Sequence, residues 1–141
     1  MWHGRTPIAT RCQSLYHLPL CDKGKTMADA ESDLLRSSLD LLVLKALTWG
    51  PMHGYAISEW IEGATADTLL VEEGTLYPAL HRMERHGWIT AEWGVSENNR
   101  RAKFYKLSTA GRARFRAQAP VWHRHAEAIA VALRRTSLEF R

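Results

Sequence analysis

A chain of 141 residues, 45% hydrophobic and 24% charged, has room for one modest core and is too short for two ordinary domains. No apolar run approaches the roughly 18–20 residues of a membrane helix; the longest, LDLLVLKAL, is interrupted by Asp40 and Lys45, so no membrane partner is expected. Net charge is +4 but unevenly spread: residues 27–80 hold nine acids and two bases, whereas residues 82–116 hold nine bases and three acids. A basic block following an acidic half points to an anionic partner, nucleic acid being the commonest. The plainer alternative is a solvated surface.

Residues 1–26 mix Pro, Gly, Cys and bases without period, which predicts a disordered extension. Residues 1–33 are assigned to that extension and its lead-in, with Met27 before ADAESD a natural starting point for the functional chain. Cys12 and Cys21 both fall in this stretch, and no apolar signal segment follows the first Met, so two free thiols in a reducing, cytoplasmic setting are expected.

From Leu34 the apolar spacing becomes helical through Leu35, Leu39, Leu42, Val43, Ala46 and Leu47, and Gly50-Pro51 ends the helix. HGYAISEWIEG predicts a second, shorter helix and ATADTLLV a connector. A third helix follows in EEGTLYPALHRMERHGWI, with Gly87 as its left-handed stop. The period then changes to two: WITAEWG and RAKFYKL read as strands joined by the polar VSENN, a hairpin with a loop longer than two residues. Ser108 or Thr109 caps a last helix reaching about Arg135, along which Phe115, Trp122, Ala126, Ile129 and Leu133 recur at helical spacing.

The order predicts a mostly helical α+β fold, a winged helix-turn-helix of three helices plus a β-hairpin wing over residues 34–107. A C-terminal helix and short tail over 108–141 complete the chain. In the third helix, Thr75 as cap would put Pro78 in the first turn, where its missing N–H costs nothing. Leu76, Leu80 and Met83 would be buried, leaving Tyr77, His81 and Arg85 outward with the positive end of the helix dipole leading. Such an end suits phosphates and base edges. Plainer readings stand beside this one: a partly buried Tyr77, a surface His81, and Arg82 and Arg85 as charges complementing the helix end. The hairpin tip adds Asn98, Asn99, Arg100, Arg101 and Lys103, cations able to reach phosphates or a narrow minor groove. The acidic N-terminal half is expected to face away from such a partner.

Over roughly residues 34–116, LDLLVLKAL, GPMHGYAISEWIE, EEGTLYPALHRMERHGWI, EWG and ENNRRAKFYKLSTAGR together resemble the PadR-type transcriptional regulators. The single C-terminal helix, taken as short, is similar to that of the small subfamily. The resemblance implies a cytoplasmic homodimeric repressor bound to double-stranded DNA at a pseudo-palindromic operator, with the first and last helices forming the dimer interface. Carried over by position, Thr75, Tyr77 and Pro78, with His81 and Arg82, lie on the recognition helix, and Asn99, Arg100, Arg101 and Lys103 on the wing. Gly54 and Tyr55 take a packing or phosphate role. Leu39, Trp122, Ile129 and Leu133 fall at the dimer interface. Some small members admit a planar aromatic effector beside an aromatic on the last helix, and Trp122 is the counterpart; its plainer reading is a tryptophan buried at the seam. Ser37 departs from the frequent Gly, and Pro120 is expected to kink or break the last helix.

No nucleophile elbow, phosphate-cradling glycine loop or paired acids on one helix face is found, so no enzyme is expected. His123 and His125 point apart on a helix, His81 and His86 miss the i, i+4 metal spacing, and the cysteines lack a CxxC companion, so neither metal nor cofactor is expected. The remaining alternative is a winged protein-interaction module without specific DNA readout.

Overall fold

The computed structural model describes residues 27–136 and, of the side chains in the first helix, Leu35 and those from Ser38 onward. The expected disorder of residues 1–26 and the departure at Ser37 lie outside the described residues. The chain divides between Asp33 and Leu34. The described elements are α1 (Met27–Leu47), β1 (Met52–His53), α2 (Gly54–Ala64), α3 (Glu73–Arg85), β2 (Ile89–Val95), β3 (Arg101–Leu107) and α4 (Thr109–Leu133). The first helix therefore begins at Met27, in the stretch assigned as lead-in and ahead of the start expected at Leu34.

One core unites these elements. Leu39, Val43, Leu44 and Leu47 of α1, Ile57 and Ile61 of α2, and Leu76, Leu80 and Met83 of α3 are buried together. These are the residues that repeat at three and four, as burial of one helical face requires. Ile89, Tyr105 and Leu107 close the core from the sheet. The connector between α2 and α3 is anchored by Val71, whose N–H meets the Glu62 carboxylate at 3.4 Å, and by the Leu69 N–H on the Thr65 hydroxyl at 3.2 Å.

The sheet has three strands in the order β1-β3-β2, all antiparallel. The short β1 was not expected: two residues are too few to show a period, yet Met52 pairs with Tyr105 and His53 with Phe104. The hairpin tip is closed by the Asn99 N–H on the Ser96 carbonyl at 2.9 Å and the Ser96 N–H on the Arg100 carbonyl at 2.8 Å. Asn99 takes a left-handed φ of 55°, which Asn tolerates better than most side chains.

Three expectations about the helices are corrected. Glu72, not Thr75, caps α3: its carbonyl already accepts the N–H groups of Thr75 and Leu76, both at 3.0 Å. Pro78 therefore sits in the second turn, where its missing N–H deprives the carbonyl of Gly74, an exposed residue that water can reach. Pro120 does not break α4, which is a long helix of 25 residues running through it. Proline there is exposed, and only the Arg116 carbonyl loses its helical donor. At the other end of α3, the Trp88 N–H reaches the Met83 carbonyl and the Gly87 N–H the Glu84 carbonyl, both at 3.0 Å, with Gly87 at φ 74°. This is the glycine stop expected from the sequence.

Ser108 caps α4 by accepting the Gly111 N–H at 3.0 Å, while its own N–H holds the Trp88 carbonyl at 3.1 Å. Gly111 is buried at this junction, and a Cβ on it would lie 2.0 Å from the Trp88 carbonyl oxygen. Gly111→Ala is therefore expected to lower unfolding stability by about 3 kcal/mol, the upper end of overpacking costs. A denaturant midpoint within error of the parent would show that α4 does not need this approach.

Candidate nucleic-acid interface

The N-terminus of α2, the outward face of α3 and one side of the hairpin enclose an open groove. At its base, the His53 Nδ1 accepts the Ala56 N–H at 3.1 Å and caps α2, which leaves the ring proton on Nε2. The same ring meets Phe104 edge-on with centroids 5.5 Å apart, joining the cap to β3. Gly54 follows, buried beneath Tyr77: a Cβ there would stand 3.0 Å from the phenol oxygen and 3.1 Å from the ring. The absent side chain lets α2 and α3 approach and sets the height of Tyr77, which remains 39% exposed. Tyr77 thus packs on one side and offers its other edge outward, combining the two readings its sequence allowed.

Tyr55 is 62% exposed on the same lip. The Glu59 carboxylate one turn on holds its phenol above the usual range, first as a hydrogen-bond acceptor and then by repelling the phenolate. Glu59 and Glu97 both line the groove. The expectation that the acids of the N-terminal half face away thus fails at Glu59, which projects one turn after Tyr55 on α2.

The pairing of Ala91 with Tyr105, Trp93 with Lys103 and Val95 with Arg101 puts all six on one face of the hairpin. Because Tyr105 is buried against the core, that face turns toward α3. Burial raises the Tyr105 phenol above its ordinary range, the Lys103 ammonium opposing the shift. Lys103 stands 3.0 Å from the Glu84 carboxylate of α3 and braces the wing against the helix. A partly exposed pair of this kind contributes at most about 1 kcal/mol, so its consequence is geometric. Arg101 lies 4.8 Å over the Trp93 ring, and Arg100 is exposed beside it.

Tyr77, His81, Gly54, Tyr55, Arg100, Arg101 and Lys103 therefore meet in one place. Thr75, Pro78 and Arg82 do not: with Leu39, Gly74 and Ala79 they line a separate shallow groove against α1. Arg82 is ion-paired with Asp40 of α1 while remaining partly exposed. Asn99 shapes the tip through its backbone. Leu39 is corrected: 1% exposed, it belongs to the protomer's own core and has no surface left for a second chain. Trp122, at 38%, Ile129 and Leu133 are exposed along α4. Among the described residues, no cluster of His, Cys, Asp or Glu could hold a metal, and no helix is long and apolar enough to cross a membrane.

Sequence reasoning missed Trp93 and Glu59 as groove residues, and His53 as a cap. Alternation by two, counted outward from Tyr105, would have placed Trp93 beside Arg101. The position of Glu59 depends on how α2 packs and has no local signature.

Comparison with known proteins gives this geometry a setting. The Transcriptional regulator PadR-like family matches residues 43–117. An uncharacterized protein of Lysinibacillus sphaericus is 30% identical over 82 residues, 58% of this chain and 75% of that one. A transcriptional regulator from Clostridium thermocellum is 28% identical with a TM-score of 0.62, over 70% of this chain and 95% of its own. Bacillus subtilis PadR, solved in complex with operator DNA, is 22% identical with a TM-score of 0.50, over 56% of this chain and 45% of its own, a likeness of fold.

The Gly54 contact is open to direct test. Gly54→Ala is expected to cost about 1–2 kcal/mol in denaturant unfolding, and most of that cost should disappear in a Tyr77→Ala background. An equal cost in both backgrounds would show that the Tyr77 ring is not what demands glycine.

Proposed function

This chain belongs to the PadR-like family of transcriptional regulators, a family of regulators and not of enzymes, and we propose that it acts as a homodimeric repressor at a pseudo-palindromic operator. The observation that carries the reading is the single groove in which the outward face of α3, with Tyr77 and His81, meets the wing cations Arg100 and Arg101. A helix flanked by a basic hairpin can enter a major groove while the hairpin grips adjoining phosphates. The B. subtilis relative solved with operator DNA supports this docking as a working geometry. Tyr77 and His81 read base edges, Arg100 and Arg101 hold backbone, and Lys103 keeps the wing at a set distance from α3.

Dimerisation through α4 is supported by Trp122, Ile129 and Leu133, which lie on one helical face with much of their surface in solvent. Two recognition helices spaced about 34–36 Å apart would match successive major grooves. Repression follows if the bound dimer blocks polymerase. An aromatic effector between the two Trp122 side chains would act by favouring one inter-protomer angle, which requires different affinity for two dimer states. Among the described residues α4 alone follows the winged domain, which fits the small subfamily.

The test is a titration of fluorescent duplex from the chain's own upstream region, and of a scrambled duplex, at several salt concentrations. Tight binding to the first alone, weakening steeply with salt, is expected. In Arg100→Ala with Arg101→Ala, the slope of log affinity against log salt should fall by roughly 1.8, about 0.9 for each lost phosphate contact. An unchanged slope and affinity would exclude this docking and leave the interaction-module reading.

A further inference from the structure

Trp93 is not accounted for by the core: 62% of its surface is in solvent, on a polar hairpin. Strand register places it on the α3-facing side, opposite Lys103 and diagonal to Arg101. The Arg101 guanidinium carbon lies 4.8 Å from the centre of its ring, within the range of cation–π attraction. On this same face Lys103 is already engaged by Glu84. Arg101 is thus the cation that an aromatic side chain, and not a carboxylate, holds at the groove.

We propose that Trp93 is a positioning residue of the DNA interface, a platform that pre-orders Arg101 over the groove. The inference rests on the DNA-binding reading above and deepens it. A long arginine on a hairpin loses rotamer freedom when it fixes a phosphate, and that loss weakens binding. Stacking on an indole face restricts the side chain beforehand, yet leaves the edge of the planar guanidinium free to donate hydrogen bonds. A carboxylate partner would also restrict it, but would cancel its charge and compete with the phosphate. The platform therefore suits an arginine that must remain available, whereas the Glu84 pairing of Lys103 suits a brace. Arg100 serves as the internal comparison.

The experiment is a double-mutant cycle on operator affinity using Trp93→Ala and Arg101→Ala in the full-length chain, with Trp93→Phe as the conservative variant. Trp93→Ala is expected to weaken binding roughly twofold to fivefold, in line with exposed cation–π pairs. That effect should vanish when Arg101 is already Ala, whereas it should persist in an Arg100→Ala background. Trp93→Phe, which keeps a ring face, should recover most of the affinity. All variants should melt with the parent, since the indole is largely exposed. Equal weakening with and without Arg101, or no weakening at all, overturns the platform. A parent chain that prefers neither duplex overturns the DNA reading itself, an outcome distinct from an additive cycle.

Discussion

Burial of the Leu76, Leu80 and Met83 stripe is the constraint on which the rest of the molecule depends. Once those side chains enter the core formed with α1 and α2, the rotation of α3 about its own axis is set. Tyr77 and His81 then face outward by helical geometry alone. The Glu72 cap and the Gly87 stop delimit the helix. Thr75, Pro78 and Arg82 fall instead on the side toward α1, where Arg82 pairs with Asp40. An apolar stripe thus decides the chemistry of a polar surface.

A second layer of organisation is electrostatic. Counted along the chain, residues 82–116 are a basic block, but folding divides its charges into different roles. Arg82 is paired with α1 and Lys103 with α3, while Arg114 stacks over Trp88 with its guanidinium carbon 3.7 Å from the ring centre. Such contacts hold elements in place and contribute little net stability where they are exposed. The cations left for an external anion are fewer than the sum implies, and Arg100 and Arg101 lead them. Glu59 and Glu97 beside them narrow the anions that can approach.

The helices and the hairpin were legible because burial imposes a period of 3.6 or 2 on apolar residues, and Leu76, Leu80, Met83, Tyr105 and Leu107 carry it. Gly87 and Ser108 were legible because caps need particular backbone or side-chain chemistry. What was not legible depends on contacts distant in sequence. The β1 strand exists because β3 offers an edge to Met52 and His53; Asp40 meets Arg82 across 42 positions; and the helix passes through Pro120 because its ring lies on an exposed face. The cap of α3 was misplaced for a simpler reason: Thr75 has a better capping side chain, but Glu72 has the backbone position. For the site, residue identity located the wing and Tyr77. The groove partners Trp93 and Glu59 required the packed structure.

The hairpin is stapled at its base, where β1 and the Ser108 junction hold it, and its tip ends in a turn with Asn99 in the left-handed region. A lineage could therefore lengthen the wing at the tip without touching the core, gaining about 3.3 Å of reach per residue added to each strand. The pleat imposes a parity rule on such growth. One residue inserted per strand would turn newly added tip cations away from the groove, whereas two would return them to the face of Trp93 and Arg101. Evolutionary variation in wing length should therefore come in pairs per strand wherever the groove-facing cation is retained.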